Sequence, residues 1–418
     1  MKKATQQQTK EHNRNLVLKT ILERDSISRA EVARVTGLTR TTVSDIVTDL
    51  LDAGLVEEVG VGSSKGGKSP ILLSLVPDSR CLIGLDLAQY QFRGAVVNLR
   101  GAICEMVTMP VTGRDGEALA LVYTILDRLV RASCRPIVGI GVGTPGLVNT
   151  GQGVVISAVN LDWVNLPLAA LLQERYRLPV TVLNDSQAAA MGEYTYGEAH
   201  SYGKNLVVIN ARHGIGAGVI INGRLFQGDG GGAGEIGHVV VVPDGGLPCR
   251  CGNNGCLETV ASAQALVKRA QALGAPFAAP TTPSAPEAVT LDAIERAFHA
   301  GDPVARQIVL EAARYMGMAV SSLVGTLNIQ HIVLVGEVTR FGEPWLAAVR
   351  ETMARTSLSR LAQETRVEMG QLGGNGIVLG ASAVLANNYS ALYEPQALQA
   401  AGDWRPAGLN ARSALKYP

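Results

Sequence analysis

Apolar residues recur at helical spacing in three short stretches near the start of the chain. Residues 14–24 place Leu16, Leu18, Ile21 and Leu22 on that period. Ser28-Arg29-Ala30-Glu31 reads as a capping box opening a second helix that presents Val32 and Val35, with Gly37 as its stop. Thr39 is a good N-cap for a third helix carrying Val43, Ile46, Val47 and Leu50 on one face, and Gly54 ends it. Two β-type runs follow, at 55–59 and 70–75, around a tip rich in glycine and lysine. Three helices and a hairpin in this order predict a winged helix-turn-helix over residues 1–78.

From Cys81 the pattern changes. Strand-like runs at 81–87, 94–99, 138–142, 180–183, 206–210, 217–221 and 331–335 alternate with longer helical stretches, which predicts an α/β module. Residues 274–289, rich in Pro, Ala and Thr, read as an exposed loop, and the tail after Asn388 has weak periodicity. A chain of 418 residues is too long for one core. No run of about 18 apolar residues and no apolar leader is seen, so no membrane partner and a cytoplasmic location are expected.

Charge sharpens the first domain. The net charge is only +1, yet up to Arg40 there are nine Lys/Arg against four acids. In a helix-turn-helix, the leading residues of the second helix of the motif meet base edges. Here these are Arg40, Thr41, Thr42, Ser44 and Asp45, and Arg40 can fork onto a guanine. Lys65 and Lys68 in the hairpin tip suit phosphate or minor-groove contact. Operator DNA is the expected partner, read by a homo-oligomer, dimer or tetramer. A helical protein-interaction domain with a glycine hairpin is the plainer alternative.

Cysteine spacing adds a second feature. Cys81, Cys104 and Cys134 are scattered and read as buried small hydrophobes. His238 followed by Cys249-x-Cys251-x4-Cys256 matches a closed Cys3His zinc site, structural because no position is left for water. Three unrelated thiols are the alternative.

Gly234-Glu235-Ile236-Gly237-His238, followed by Cys249-x-Cys251-Gly252-x-x-Gly255-Cys256-Leu257-Glu258, strongly resembles the signature of the ROK family of repressors and sugar kinases. Gly141–Gly146, Asn160-Leu161-Asp162-Trp163 and Asn184-Asp185 fall where that family has matching segments. The likeness runs from about residue 81 to 388 and, with the winged helix in front, points to the family's repressor branch. It implies an actin-like (ribonuclease H-like) fold of two α/β lobes around a sugar cleft. The smaller lobe would span 81–200, completed by a helix near 375–388. The larger lobe, with the zinc site, would span 201–374, leaving 389–418 as a tail. The implied sugar ligands are Asn160, Asn184, Asp185, Glu235, His238 and Glu258. Asn184-Asp185 could instead simply cap a helix.

The resemblance also bears on catalysis. Asp185 matches the family's catalytic base, yet the phosphate segments depart from the kinase pattern. Asp86-Leu87-Ala88-Gln89-Tyr90 stands where Asp-x-Gly-x-Thr is expected, Arg212-His213-Gly214 replaces Gly-Thr-Gly, and Gly336-Glu337 replaces Gly-Gly. The expectation is a sugar-responsive repressor of carbohydrate-utilisation genes without useful kinase activity. A sugar kinase that also binds DNA, or a regulator controlled by a protein partner, are the alternatives.

Overall fold

The computed structural model describes residues 6–63, 69–112, 116–197, 203–274, 289–386 and Leu392. Lys65 and Lys68, residues 275–288 of the expected loop, and the tail apart from Leu392 lie outside the described residues.

Helix α1 (Gln6–Leu22) buries Val17, Leu18, Thr20 and Ile21, while Leu16 and Leu22 are only half-buried. The two-residue strand β1 (Ile27–Ser28) leads into α2 (Arg29–Thr36). Ser28 caps α2 by accepting from the Glu31 amide at 3.2 Å. The Glu31 carboxylate turns to Arg34 at 3.2 Å, so one half of the expected capping box is formed. Val32 is fully buried, but Val35 is 47% exposed: this two-turn helix packs through Val32 and Ala33. Gly37 follows at φ 72°, a left-handed cap that residues with a Cβ rarely adopt. Thr39 then caps α3 (Arg40–Asp52), which buries Val43, Ile46, Val47 and Leu50. Strands β2 (Val56–Val61) and β3 (Ile71–Leu75) form the wing, with β1 added on the far edge of β3.

The next unit is built on a five-stranded sheet of order β11-β7-β4-β5-β6. It comprises β4 (Cys81–Leu87), β5 (Gln91–Asn98), β6 (Ile103–Pro110), β7 (Ile137–Thr144) and β11 (Val180–Asn184). Strands β4, β7 and β11 are parallel neighbours, while the β4-β5-β6 meander is antiparallel. Helix α4 (Glu117–Ala132) covers one face. The small sheet β8 (Leu147–Asn149), β9 (Val154–Ala158) and β10 (Trp163–Leu166) and helix α5 (Leu168–Tyr176) extend that core. Cys81 is buried as expected, but Cys104 and Cys134 are exposed. Cys104 stands on edge strand β6, whose side chains mostly face solvent, and Cys134 follows the end of α4.

Helix α6 (Asp185–Tyr196) leads to the second five-stranded sheet, of order β14-β13-β12-β15-β16. Its strands are β12 (Leu206–Ala211), β13 (Ile215–Ile221), β14 (Arg224–Phe226), β15 (His331–Val335) and β16 (Arg366–Met369). Around it lie α7 (Glu258–Ala261), α8 (Ala263–Ala272), α9 (Leu291–His299), α10 (Pro303–Leu327), α11 (Gly342–Thr356) and α12 (Ser359–Glu364). Helix α10 is long and apolar enough to cross a membrane by length and composition, but it buries Ile308, Val309, Met316 and Val320 in this core. Helix α13 (Gly376–Ala386) returns to the first unit and packs between α6 and strands β4 and β7. At Gly380 the two helices touch backbone to backbone, because a Cβ there would collide with the Ala188 carbonyl and the Gly192 amide nitrogen.

The winged helix is not a separate bead. Its core is continuous with Leu82, Leu99, Val138 and the fully buried Leu392. Leu392 therefore anchors part of the expected loose tail. Arg100, in the β5–β6 turn, donates to the Leu22 carbonyl at 3.1 Å and to the Arg24 carbonyl at 3.0 Å. The ring of Tyr196, at the end of α6, lies against Gly101 of the same turn.

Candidate functional site

The carboxyl ends of β4, β7 and β11 and the β12–β13 turn open on one cavity of about 340 Å³. All six residues expected to face a sugar line it: Asn160, Asn184, Asp185, Glu235, His238 and Glu258. Asn184 ends β11 and caps α6, accepting from the Ser186 amide at 2.9 Å and donating to the Gly146 carbonyl at 2.8 Å. The capping role is thus present, and it fixes the amide at the cavity edge with one N–H and one lone pair to spare. Asp185 opens α6. Burial pushes its carboxyl up to about 6; Arg212 and the Ser186 hydrogen bonds oppose the shift, while nearby Asp86 adds to it.

Glu235 and His238 come from one short segment. Gly234 lets it dock on β13, where the Ala217 amide donates to the Gly234 carbonyl at 2.7 Å. Burial raises the Glu235 carboxyl; His238 opposes the shift and the carboxylates Asp185 and Glu258 add to it. Glu258, at the start of α7, accepts from the Ile215 amide at 3.2 Å and so holds the β12–β13 turn. Asn160 offers its amide oxygen to Arg250 at 2.6 Å, and the same guanidinium stands 3.8 Å from Glu258. Arg250 went unread in the sequence because it stands at the unassigned place between Cys249 and Cys251. Its signal is a cation fixed between two metal-type ligands beside the cleft.

His238, Cys249, Cys251 and Cys256 present donor atoms that all lie within 4.8 Å of one another. Cys249 Sγ is 3.5 Å from His238 Nδ1, and Cys251 Sγ is 3.6 Å from Cys256 Sγ. In a zinc tetrahedron with Zn–S of about 2.3 Å and Zn–N of about 2.0 Å, neighbouring donors stand roughly 3.5–3.8 Å apart. The four side chains therefore fit a metal ion. A hydrogen bond from the Asn253 backbone is the main influence lowering the Cys251 thiol to about 7, so it yields its proton readily. His238 Nε2 points away from the cluster, 3.9 Å from Glu235.

The segments expected to depart from the kinase pattern pair with one another. Arg212 donates to both Asp86 oxygens, at 3.0 and 3.2 Å, and Asp86 is 1% exposed. The Tyr90 and His213 rings meet edge to face, with centroids 5.7 Å apart. The first contact ties the β12–β13 turn to the end of β4, and the second ties it to the β4–β5 turn.

On the winged helix, Arg40, Thr41 and Ser44 are exposed at the head of α3. Thr42 is half-buried, its hydroxyl 2.9 Å from that of Thr39. Arg14 of α1 holds α3 through Asp49 at 2.6 Å.

Comparison with known proteins matches residues 82–388 to the model of the ROK family and residues 11–57 to that of a winged helix-turn-helix DNA-binding domain. A xylose repressor of Caldicellulosiruptor bescii is 33% identical over 389 residues, 91% of this chain and 96% of its own. A solved ROK family transcriptional regulator, homologous to the E. coli MLC protein, aligns with a TM-score of 0.80 and 27% identity over 92% of this chain and 98% of its own. A ROK family glucokinase from Streptomyces griseus, solved with glucose and AMPPNP, aligns with a TM-score of 0.66 and 30% identity over 73% of this chain and 98% of its own.

Proposed function

The chain belongs to the ROK family, and from its winged helix-turn-helix and its cleft we propose that it is a sugar-responsive repressor of carbohydrate-utilisation genes. The observation that carries this reading is the shared core: the DNA-reading helices pack on the lobe that holds Asp185, with Leu82, Leu99 and Val138 in one cluster with Val47 and Leu50. Sugar occupancy changes operator affinity by the sugar's differential affinity for two arrangements, and by no more. A dimer presenting two reading helices to a two-fold operator is the natural form, and the cytoplasm is where such a regulator meets DNA. The relative's name makes xylose the first sugar to try. In a gel shift on operator DNA selected from the source genome, the cognate sugar should weaken binding; unchanged affinity across pentoses, hexoses and amino sugars would overturn the reading.

The proposed sugar ligands are Asn160, Asn184, Asp185, Glu235, His238 and Glu258. Their amides, carboxylates and imidazole suit hydroxyls that both donate and accept. Asp185 acts as a charged acceptor only above its raised pKa of about 6. Sugar affinity should therefore fall as pH drops through 6, by up to about tenfold for one charge-assisted hydrogen bond. The stability effect has the opposite sign: a raised carboxyl disfavours the folded state above its pKa, and that penalty is relieved on acidification. Calorimetric titrations at pH 5 and 7.5 test this, and Asp185→Asn should flatten the difference.

Kinase turnover is not expected. Arg212 is spent on Asp86, and Tyr90 and His213 occupy the two turns where phosphates would approach a glycine-rich backbone. Enzyme-like turnover with ATP, magnesium and any sugar of the panel would refute that.

His238, Cys249, Cys251 and Cys256 would hold a structural zinc ion, which ties the 238–256 segment to the lobe and sets Arg250 and His238 at the cleft. Purified protein should carry one zinc per chain. Chelation under reducing conditions should lower the thermal midpoint by about 2 °C or more, reversibly, for a loss of roughly 2 kcal/mol. A metal-free chain with an unchanged midpoint would contradict the assignment.

A further inference from the structure

We propose that the side of the cleft rebuilt by Gln89, Tyr90 and His213 is a subsite for a second sugar ring, so that a disaccharide or other glycoside is bound more tightly than the monosaccharide alone. The inference rests on the sugar-responsive reading above and deepens it.

These three residues line the same cavity as the six candidate sugar ligands. Its volume of about 340 Å³ lies within the range of sites for ligands larger than a single small ring. Tyr90 is 66% exposed beside it, although large aromatic side chains usually bury their faces. An exposed aromatic face at a cleft mouth is a platform for the apolar C–H face of a pyranose.

Polar groups point the same way. The side-chain oxygen of Gln89 and Nε2 of His213 are shielded from solvent and have no hydrogen-bond partner. Such buried atoms are costly to leave unpaired and are uncommon. One is an acceptor; the other accepts or donates according to tautomer, and burial together with Arg250 and Lys268 lowers the His213 pKa, favouring the neutral ring. A sugar hydroxyl, donor and acceptor at once, can satisfy either.

Charge argues against a phosphate in this place. Arg212 is already paired with Asp86, and Asp185 and Glu337 line the same cavity. A neutral ring costs no repulsion there, whereas a phosphate meets carboxylates; of the cations near His213, Arg250 is held by Asn160 and Glu258 and Lys268 does not line the cavity.

The test is calorimetric titration of the full chain with D-xylose, D-glucose and their disaccharides xylobiose, cellobiose and isomaltose, with ATP and glucose 6-phosphate alongside. At least one disaccharide should bind about tenfold or more tighter than its monosaccharide. Tyr90→Ala should cut that advantage to about twofold, and Tyr90→Phe should keep most of it. Equal affinities for mono- and disaccharide, or an advantage untouched by Tyr90→Ala, would overturn the subsite and leave the sugar reading standing. So would ATP or the sugar phosphate proving the tighter ligand and losing affinity in Tyr90→Ala. Binding of no sugar at all would overturn both.

Discussion

A Gly380→Val chain should unfold at much lower urea than the parent, with a loss of about 3–5 kcal/mol, if it accumulates folded at all. Gly380 lies where α13 crosses α6, and any Cβ would press on the Ala188 carbonyl and the Gly192 amide nitrogen. Both obstacles are backbone, so no side chain can swing aside. Overpacking in a close-packed core usually costs about 1–3 kcal/mol, and more when helices must part. Separation here is doubly costly, because α13 also packs on β4 and β7. Gly325 provides the opposite sign. It is an exposed glycine inside α10 where an added Cβ would meet nothing within 4 Å, so Gly325→Ala should stabilise by about 0.5–1 kcal/mol. Equal urea midpoints for Gly380→Val and the parent would refute the packing argument.

The second large effect is on DNA. Arg40→Ala should weaken operator binding by about tenfold or more per reading helix, since a bidentate Arg–guanine contact is worth roughly 1–3 kcal/mol. Arg40 is exposed at the first position of α3, so the fold should not suffer. A base contact and a phosphate contact differ in outcome. Loss of a base contact relaxes the sequence preference at one position of each half-site, whereas loss of a phosphate contact weakens all sequences alike and flattens the salt dependence. Selection of binding sites from random DNA with parent and variant separates the two. An unchanged affinity would remove Arg40 from the interface.

What the sequence makes legible is governed by range. Helix caps are local, and Ser28, Thr39 and Gly37 sit where short motifs place them. Solvent exposure is not local: Val35 follows a helical period yet faces out, and Cys104 reads as apolar yet lies on an edge strand. Strand β1 is two residues long, and the β8–β9–β10 sheet is made of short runs, so neither leaves a periodic trace. The same divide runs through the cleft. The six candidate ligands and the four clustered donors share a family spacing and gather around adjoining sites. Arg250 meets Asn160 across 90 positions of chain, and Arg212 meets Asp86 across 126, so only folding reveals those pairs. Tyr90 and His213 read in sequence as lost phosphate contacts; in space they form a wall.

Helix α6 has a mechanical meaning beyond its packing. Its first residue, Asp185, lines the cavity, and its last, Tyr196, rests on the turn whose Arg100 grips the end of α1. Twelve residues make a rod about 18 Å long. About its middle, where Ala188 and Gly192 meet Gly380, a tilt of about 6° moves either end by about 1 Å, enough to strain hydrogen bonds of 3.0 and 3.1 Å. The Gly380 crossing lies near the middle of this rod, with backbone against backbone, so a ligand's push on Asp185 would turn the helix about that crossing and carry to the DNA-binding end.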